Sequence, residues 1–457
     1  MAEHTVDLVV LGGGSGGYAA AIRAAELGST VVLIEADKVG GTCLHRGCIP
    51  TKALLHAAEV ADSVRGAAHL GLDARLDGVD AERLRAYREG IVAKKYKGLQ
   101  GLLATRKIAV VHGRGVLEPG PAVRVGHDLY RGANVVLATG SASRTLPGLE
   151  PGGRILMSEQ ALELGEIPRR VIVLGGGVIG VEFASLWRSF GAHVTIVEAL
   201  PHLVPGEDDV LGKGLERAFR KRGIEMKLGA RLSSATQSDD SVEVVLEDGT
   251  SIDADYLLVA VGRRPVTEEM GYAETGVELD DGFVRVDENL ATTVTGVWAV
   301  GDIVRGVQLA HRGFAHGIAV AERIAGRTPS SVPDHHIPRV TYSDPEVASV
   351  GLTKAQAITQ LGEAAVVVQD YNLAGNGRSE ILGTAGLVRV VREVDGPVVG
   401  VHLLGARVGE LIAEAQLIVG WEAHPDDIAP YVHAHPTQSE ALGEAFLALA
   451  GKPLHAL

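Results

Sequence analysis

The pattern G-x-G-x-x-G occurs twice in this chain in the same setting, and that duplication constrains the fold more than any other feature. The first copy, Gly12, Gly14 and Gly17, follows an apolar run at 5–11 and leads into a helical pattern at 16–27; a second apolar run, 30–35, ends in Glu35, 18 residues past Gly17. The second copy, Gly175, Gly177 and Gly180, lies between runs at 171–174 and 178–190, and the run 193–198 ends in Glu198, again 18 residues past the third glycine. Each set reads as a βαβ unit. Glycines there permit a tight turn and close approach to a pyrophosphate seated on a helix N-terminus, while the acid accepts hydrogen bonds from an adenosine ribose. One such motif is a weak signal, since glycine-rich turns and a solvated glutamate produce the same letters. Two in matching context predict two nucleotide-binding modules. A carboxylate at Glu198 suits the free hydroxyls of an NAD ribose and repels a 2′-phosphate, and Ala199, Leu200, Pro201 and His202 supply no arginine, so NAD is expected over NADP.

The remaining chain must supply further domains, because 457 residues suggest about three units of roughly 150. Helical stretches at 42–63 and 80–105 and short strands ending at 134–138 precede a Pro/Gly-rich linker at 146–153. Further β-like runs at 242–246 and 256–261 lead to G-V-W-A-V-G-D ending at Asp302, a helix at 311–325 and a second linker at 328–333. Strands at 364–371, 387–394 and 397–404, with helices at 408–421 and 438–450, then make a separate α+β domain. With 43 Lys plus Arg against 57 Asp plus Glu, the net charge of −14 opposes a nucleic-acid partner. The most apolar stretch, 171–187, is broken by Glu182 and four glycines, so no membrane span is expected. The chain enters its first strand at Thr5 without a basic leader, and a cytoplasmic, reducing compartment is the expectation.

In such a compartment two cysteines are more often redox-active or metal-binding than structural. Cys43 and Cys48 stand in G-G-T-C-L-H-R-G-C-I-P-T-K. Five residues apart on a regular helix they would lie beyond the roughly 7 Å that a disulfide tolerates, so an irregular backbone is expected, with Gly47 giving the freedom. Zinc lacks its other ligands at a usual spacing, and no metal is expected. Two buried free thiols are the plain alternative. A helix start beside a dinucleotide loop favours a low thiol pKa and redox exchange. Near the C-terminus, His435 precedes Pro436, and Glu440 falls in the first turn of a helix. That carboxylate can hold an imidazole for general base work, although T-x-x-E at Thr437 and Glu440 also reads as a plain capping box.

Taken together, these motifs resemble those of the flavin-dependent pyridine nucleotide-disulfide oxidoreductases over essentially the whole chain. The match comprises both glycine motifs, the C-x4-C segment, A-T-G at 138–140, V-G-R-R-P at 261–265, G-D at Gly301 and Asp302, and H-A-H-P-T-Q-S-E near the C-terminus. The resemblance implies an α/β fold of two Rossmann-like dinucleotide-binding domains plus a C-terminal α+β dimerisation domain. Its expected parts are an FAD-binding domain at 1–148 completed by 269–333, an NAD-binding domain at 149–268 and an interface domain at 334–457. It implies FAD on Gly12, Gly14, Gly17, Glu35, Thr42, Lys52, Thr139, Gly140, Asp302, Leu309, Ala310 and His311, and NAD on Gly175, Gly177, Gly180, Glu198 and Gly262. Cys43 would exchange with a dithiol, Cys48 would face the flavin as a thiolate, and Lys52 and Glu182 would form a pair beside it. Glu182, inside an apolar run, needs a partner if buried. His435, held by Glu440, would act as base on the disulfide of the other subunit, which requires a homodimer.

Absences narrow the choice within the family. No third cysteine exists for relatives that need a second redox pair, and Val178 stands where glutathione-type reductases typically carry a tyrosine. The branch that oxidises dihydrolipoamide, carried on a lipoyl domain of a 2-oxo acid dehydrogenase complex, fits best. The alternative is another NAD(P)H-dependent flavoprotein reductase of a low-molecular-weight disulfide. One departure is His316, where relatives usually carry an acid.

Overall fold

The computed structural model describes residues 2–330 and 333–456. Its first sheet is built around Glu3–Leu11, which pairs in parallel with Val31–Glu35 on one side and Asp128–Leu137 on the other. Ala109–His112 extends the first side. On the second, the start of Asp128–Leu137 pairs antiparallel with Ala122–Val125, which in turn carries Gly115–Glu118, while its end pairs in parallel with Val297–Ala299. A strand from far along the chain therefore completes this sheet. The core strands read as unbroken apolar runs because both faces are covered: Leu8, Val9 and Val10 are fully buried.

A second, all-parallel sheet has the order Glu225–Leu228, His193–Glu198, Arg170–Leu174, Tyr256–Val259, Ile155–Leu156. An antiparallel trio, Leu232–Gln237, Val242–Leu246 and Ser251–Ala254, packs into the same core. Both of these sheets contain the run strand, glycine turn, helix, strand: Ser15–Glu26 follows the first turn and Val178–Ser189 the second. The remaining large sheet is antiparallel, in the order Arg339–Thr341, Glu346–Gly351, Val398–Gly405, Leu387–Glu393, Val366–Asn372. Helices Val408–Gly420 and Glu440–Leu449 share its core through Ile412, Ala415, Leu442 and Phe446.

Two connections matter for the site. Ser141–Ser143 pairs antiparallel with Arg263–Pro265, tying the ends of the two nucleotide-type sheets together. Helix Ala310–Ile324 packs on Ser15–Glu26 so closely that a Cβ at Gly317 would strike the Gly16 carbonyl oxygen. The linker expected at 328–333 falls partly on 331 and 332, outside the described residues. Among the described residues no helix is long and apolar enough to cross a membrane.

Candidate active site

The two glycine turns are built alike. Gly12 sits at φ 103° and Gly175 at φ 111°, a region that only glycine enters without strain. A Cβ on Gly17 would collide with the Gly12 carbonyl oxygen, and one on Gly180 with that of Gly175, so each third glycine lets its helix close onto its own turn. The middle glycines, Gly14 and Gly177, meet nothing within 4 Å and open on the cleft. Each caps its helix with no side-chain hydrogen bond. The first-turn amides are thus left to a ligand, and the helix dipole favours an anionic one. The two acids also match: Glu35 accepts from Gly13 N–H at 2.6 Å and Asp37 N–H at 2.8 Å, and Glu198 from Gly176 N–H at 2.6 Å and Leu200 N–H at 2.7 Å. Each carboxylate braces its turn and keeps lone pairs for a ribose.

Between the turns runs one cleft of about 980 Å³, lined by residues of both, by Cys43, Cys48, Lys52 and Glu182, and by Asp302 and Leu309. Such a long groove with an open amide cluster at each end and polar groups between fits two dinucleotides.

Gly47 separates the short helix Gly41–Arg46 from the helix Cys48–Gly66, at φ −141° and ψ −114°, and so supplies the irregular backbone that the cysteine spacing demands. The segment is pinned to the first glycine turn, where Gly40 N–H donates to the Gly13 carbonyl at 2.8 Å. Cys43 and Cys48 are free thiols, partly buried and hydrogen-bonded to one another. The Cys48 thiol is pulled down to about 7, first by the Cys43 thiol donating to it, with burial opposing and the Lys52 ammonium adding to the pull. Cys43 is pushed well above the usual thiol range by that same hydrogen bond and by burial. As first residue of its helix, Cys48 also has the positive dipole end beside it. The two thiols are therefore unlike: Cys48 is held below the usual thiol range and Cys43 above it.

Lys52 lies one turn beyond Cys48. Its Nζ donates to both oxygens of Glu182, at 2.8 and 2.7 Å. Glu182, from helix Val178–Ser189, has a side chain only 4% exposed, and Lys52 is the partner that its burial required. Burial works against the Lys52 ammonium, but attraction and hydrogen bonding from Glu182 outweigh it and raise its pKa.

Asp302 stands in the turn Gly301–Ile303, with Ser141 Oγ donating to its Oδ2 at 2.5 Å and Arg263 Nε donating to Ser141 Oγ at 2.8 Å. The turn is clamped from helix Ala310–Ile324, where buried Arg312 donates to the carbonyls of Val304 and Arg305. From the same helix, His316 Nδ1 accepts the Gly301 N–H at 3.4 Å. Burial, then Arg312, pushes His316 down to about 4, so at neutral pH its ring is the uncharged acceptor this bond needs. His316 thus supplies an acceptor for the Gly301 amide. Leu309 and Ala310 bring a third uncapped helix start to the cleft.

His435 Nδ1 and Glu440 Oε1 are 2.8 Å apart, while the other Glu440 oxygen accepts from Thr437 N–H at 2.7 Å. The capping box read from Thr437 and Glu440 does not form: the helix N-cap is Ser439, without a side-chain cap bond, and Thr437 Oγ1 instead donates to the Ala434 carbonyl at 2.7 Å, so Glu440 is free to orient the imidazole. The pair lies outside the cleft and the His435 side chain is 78% exposed. His433 instead pairs with Glu414 at 2.7 Å.

Gly12, Gly14, Glu35, Thr42, Cys43, Cys48, Lys52, Thr139, Gly140, Asp302, Leu309 and Ala310 line the cleft, as do Gly175, Gly177, Glu182, Glu198 and Gly262. Gly17 and Gly180 do not; they pack beneath their turns. His311 lies outside the lining too, with Nε2 on the Pro338 carbonyl at 2.7 Å. Sequence reasoning missed Ser141 and Arg263, although both adjoin or lie within quoted motifs. It also missed Tyr342, whose N–H donates to Glu182 Oε1 at 3.0 Å across 160 residues of chain, a contact with no local signal.

Residues 6–317 match the family described as pyridine nucleotide-disulphide oxidoreductase, and 337–446 match its dimerisation domain. The dihydrolipoyl dehydrogenase of Bacillus subtilis is 37% identical over 470 residues, covering 98% of this chain and 99% of the relative. That of Thermus scotoductus is 38% identical over 462 residues, covering 99% of each. Among solved structures, LpdA from Mycobacterium tuberculosis superposes with a TM-score of 0.90 at 26% identity, covering 98% of this chain and all of that one. The HOCl-induced flavoprotein disulfide reductase RclA from Escherichia coli does so at 0.87 and 26%, covering 97% of this chain and 99% of that one. With its sulfur pair, twin glycine turns and full-length relatives in agreement, the chain belongs to the pyridine nucleotide-disulphide oxidoreductases.

Proposed function

We propose that this chain oxidises dihydrolipoamide to lipoamide with NAD⁺ as final acceptor, through the Cys43–Cys48 disulfide and FAD. One observation carries the reading: an asymmetric thiol pair, with Cys48 depressed to about 7 one helical turn from the Lys52–Glu182 pair, lies in a single cleft between two dinucleotide-type turns. The first turn, with Glu35, Thr139, Gly140, Asp302 and Leu309, would hold FAD; the second, with Glu198 and Gly262, would hold NAD. When bound, FAD supplies a two-electron acceptor between the thiolate and NAD⁺.

The chain's own residues account for the sulfur chemistry. One thiolate of the substrate attacks Cys43 Sγ, the Cys43–Cys48 bond breaks, and its electron pair stays on Cys48. The helix N-terminus and the Lys52 ammonium stabilise that charge. His435 of the partner subunit, oriented by Glu440, accepts the thiol proton. Attack by the second substrate sulfur then releases lipoamide and leaves Cys43 reduced. The match to the dimerisation domain supports a homodimer, and the exposed His435 supports a site shared across it. The boundaries 1–148, 149–268, 269–333 and 334–457, a cytoplasmic setting, and a lipoyl domain of a 2-oxo acid dehydrogenase complex as partner belong to the same proposal.

The test is a steady-state panel crossing NADH and NADPH with lipoamide, glutathione disulfide and other small disulfides. Preference for NADH with lipoamide is expected. Faster turnover of a small disulfide, or preference for NADPH, would replace this reading with the alternative reductase.

A further inference from the structure

Tyr342 makes the Lys52–Glu182 pair into a junction of three separate segments. Lys52 comes from helix Cys48–Gly66, Glu182 from helix Val178–Ser189, and Tyr342 directly follows the first strand of the antiparallel sheet, Arg339–Thr341. Its backbone N–H holds Glu182 Oε1 at 3.0 Å, and its ring lies with Lys52 Nζ 4.8 Å from the centroid. One residue thus touches both halves of the ion pair. The contact to Lys52 is made by the ring face, where the quadrupole attracts a cation. Among the described residues the Tyr342 hydroxyl has no hydrogen-bond partner, so the ring and not the phenol proton is the active part.

The electrostatic surroundings give that contact a consequence. The titratable groups acting on Cys48 are Cys43, Lys52 and Glu182, and of these Lys52 is the one cation. Those acting on Tyr342 are Lys52, Glu346, Glu182 and Glu410. Glu182 and the Tyr342 ring face therefore hold the one ammonium that favours the Cys48 thiolate, while Glu346 and Glu410 face the ring itself. Long lysine side chains carry much rotamer freedom, and a face contact restricts it where the cleft leaves the Lys52 head partly open.

We propose that Tyr342 is a positioning residue for the redox centre: its ring holds the Lys52 ammonium one helical turn from Cys48, so that the antiparallel domain sets how readily that sulfur carries charge. The inference rests on the reading of Cys48 as the thiolate-bearing sulfur. It is tested in the two-electron-reduced holoenzyme by titrating the long-wavelength thiolate–flavin absorbance against pH. Tyr342→Phe, which keeps the ring, is expected to leave the midpoint in place. Tyr342→Leu and Tyr342→Met are expected to raise it by up to about one unit, or up to ~10-fold less thiolate below the midpoint. An unmoved midpoint in both, or an equal shift in Tyr342→Phe, overturns the proposal. So does failure of both apolar variants to fold and retain FAD, which would make the side chain a structural requirement. Cys48→Ser separates the two levels: a band that survives it refutes the sulfur assignment, whereas a band lost there with an unmoved Tyr342→Leu midpoint refutes only the role of Tyr342.

Discussion

Replacing Lys52 by methionine should separate the chemistry of the site from its stability. Lys52 follows Cys48 by one helical turn, which sets their Cβ atoms about 6 Å apart. At an effective permittivity of about 20 a unit charge at that range is worth ~2.8 kcal/mol, or about two pKa units. The Lys52 side chain is 32% exposed, so water screens part of its field and about one unit is the expected net shift. The Cys48 midpoint should therefore rise from about 7 toward about 8, and at pH 7.5 the thiolate fraction should fall from about three quarters to about one quarter. Stability should also fall. Glu182, 4% exposed, loses its cation and keeps only the Tyr342 N–H; removing one partner of a buried pair costs about 3–5 kcal/mol, reduced here to about 2–4 because that donor remains. The double change Lys52→Met with Glu182→Gln should recover most of the stability and only a minor part of the thiolate, the part that the Glu182 charge opposed. Absorbance titration of the two-electron-reduced enzyme reads the first quantity, and denaturant unfolding at saturating FAD reads the second. A midpoint that stays near 7 in the single variant, or returns to 7 in the double, refutes the electrostatic argument.

Three other outcomes are expected. His435→Gln should slow dihydrolipoamide oxidation about 100-fold or more while sparing NADH reduction of artificial acceptors; equal losses in both assays count against a general base. Gly180→Ala, whose methyl strikes the Gly175 carbonyl oxygen, should raise KM for NADH about 10-fold or more at normal FAD content, whereas Gly17→Ala should lower FAD content; the FAD-to-protein ratio and NADH kinetics check the pair. Because Cys48 is held below its unfolded value of 9.0 in the folded protein, its thiolate stabilises the reduced enzyme as pH rises toward 9 and this is lost as pH falls through about 7, whereas Cys43, held above that value, takes stability away beyond pH 9. Unfolding of reduced wild type and Cys48→Ser at pH 6 and pH 9 measures it, and identical pH slopes would dismiss it.

What could be read from residues alone was whatever depends on near neighbours in sequence. The glycine turns, their terminal acids and the break at Gly47 are local, because a tight turn, a helix start and a strand end each need particular residue types within some twenty positions. The Cys48 and Lys52 relation is local too, being one helical turn. Pairing across long separations was not visible. Glu182 advertised that it needed a partner, but many lysines and arginines were available, and packing of helix Cys48–Gly66 on Val178–Ser189 selected Lys52. Nothing near Tyr342 pointed toward an ion pair assembled from residues 160 and 290 positions earlier. Likewise the Asp302–Ser141–Arg263 chain exists because Ser141–Ser143 and Arg263–Pro265 pair as strands. Spacing also assigned a shared role to all three glycines of each motif, whereas the folded turns give the middle one to the ligand side and the third to helix packing. The sequence by itself thus determined two dinucleotide-type modules and a poised cysteine pair, since these follow from backbone conformation over short spans. Only the tertiary structure decided how charge is distributed around the sulfurs, since that depends on distance and burial between segments that meet only on folding.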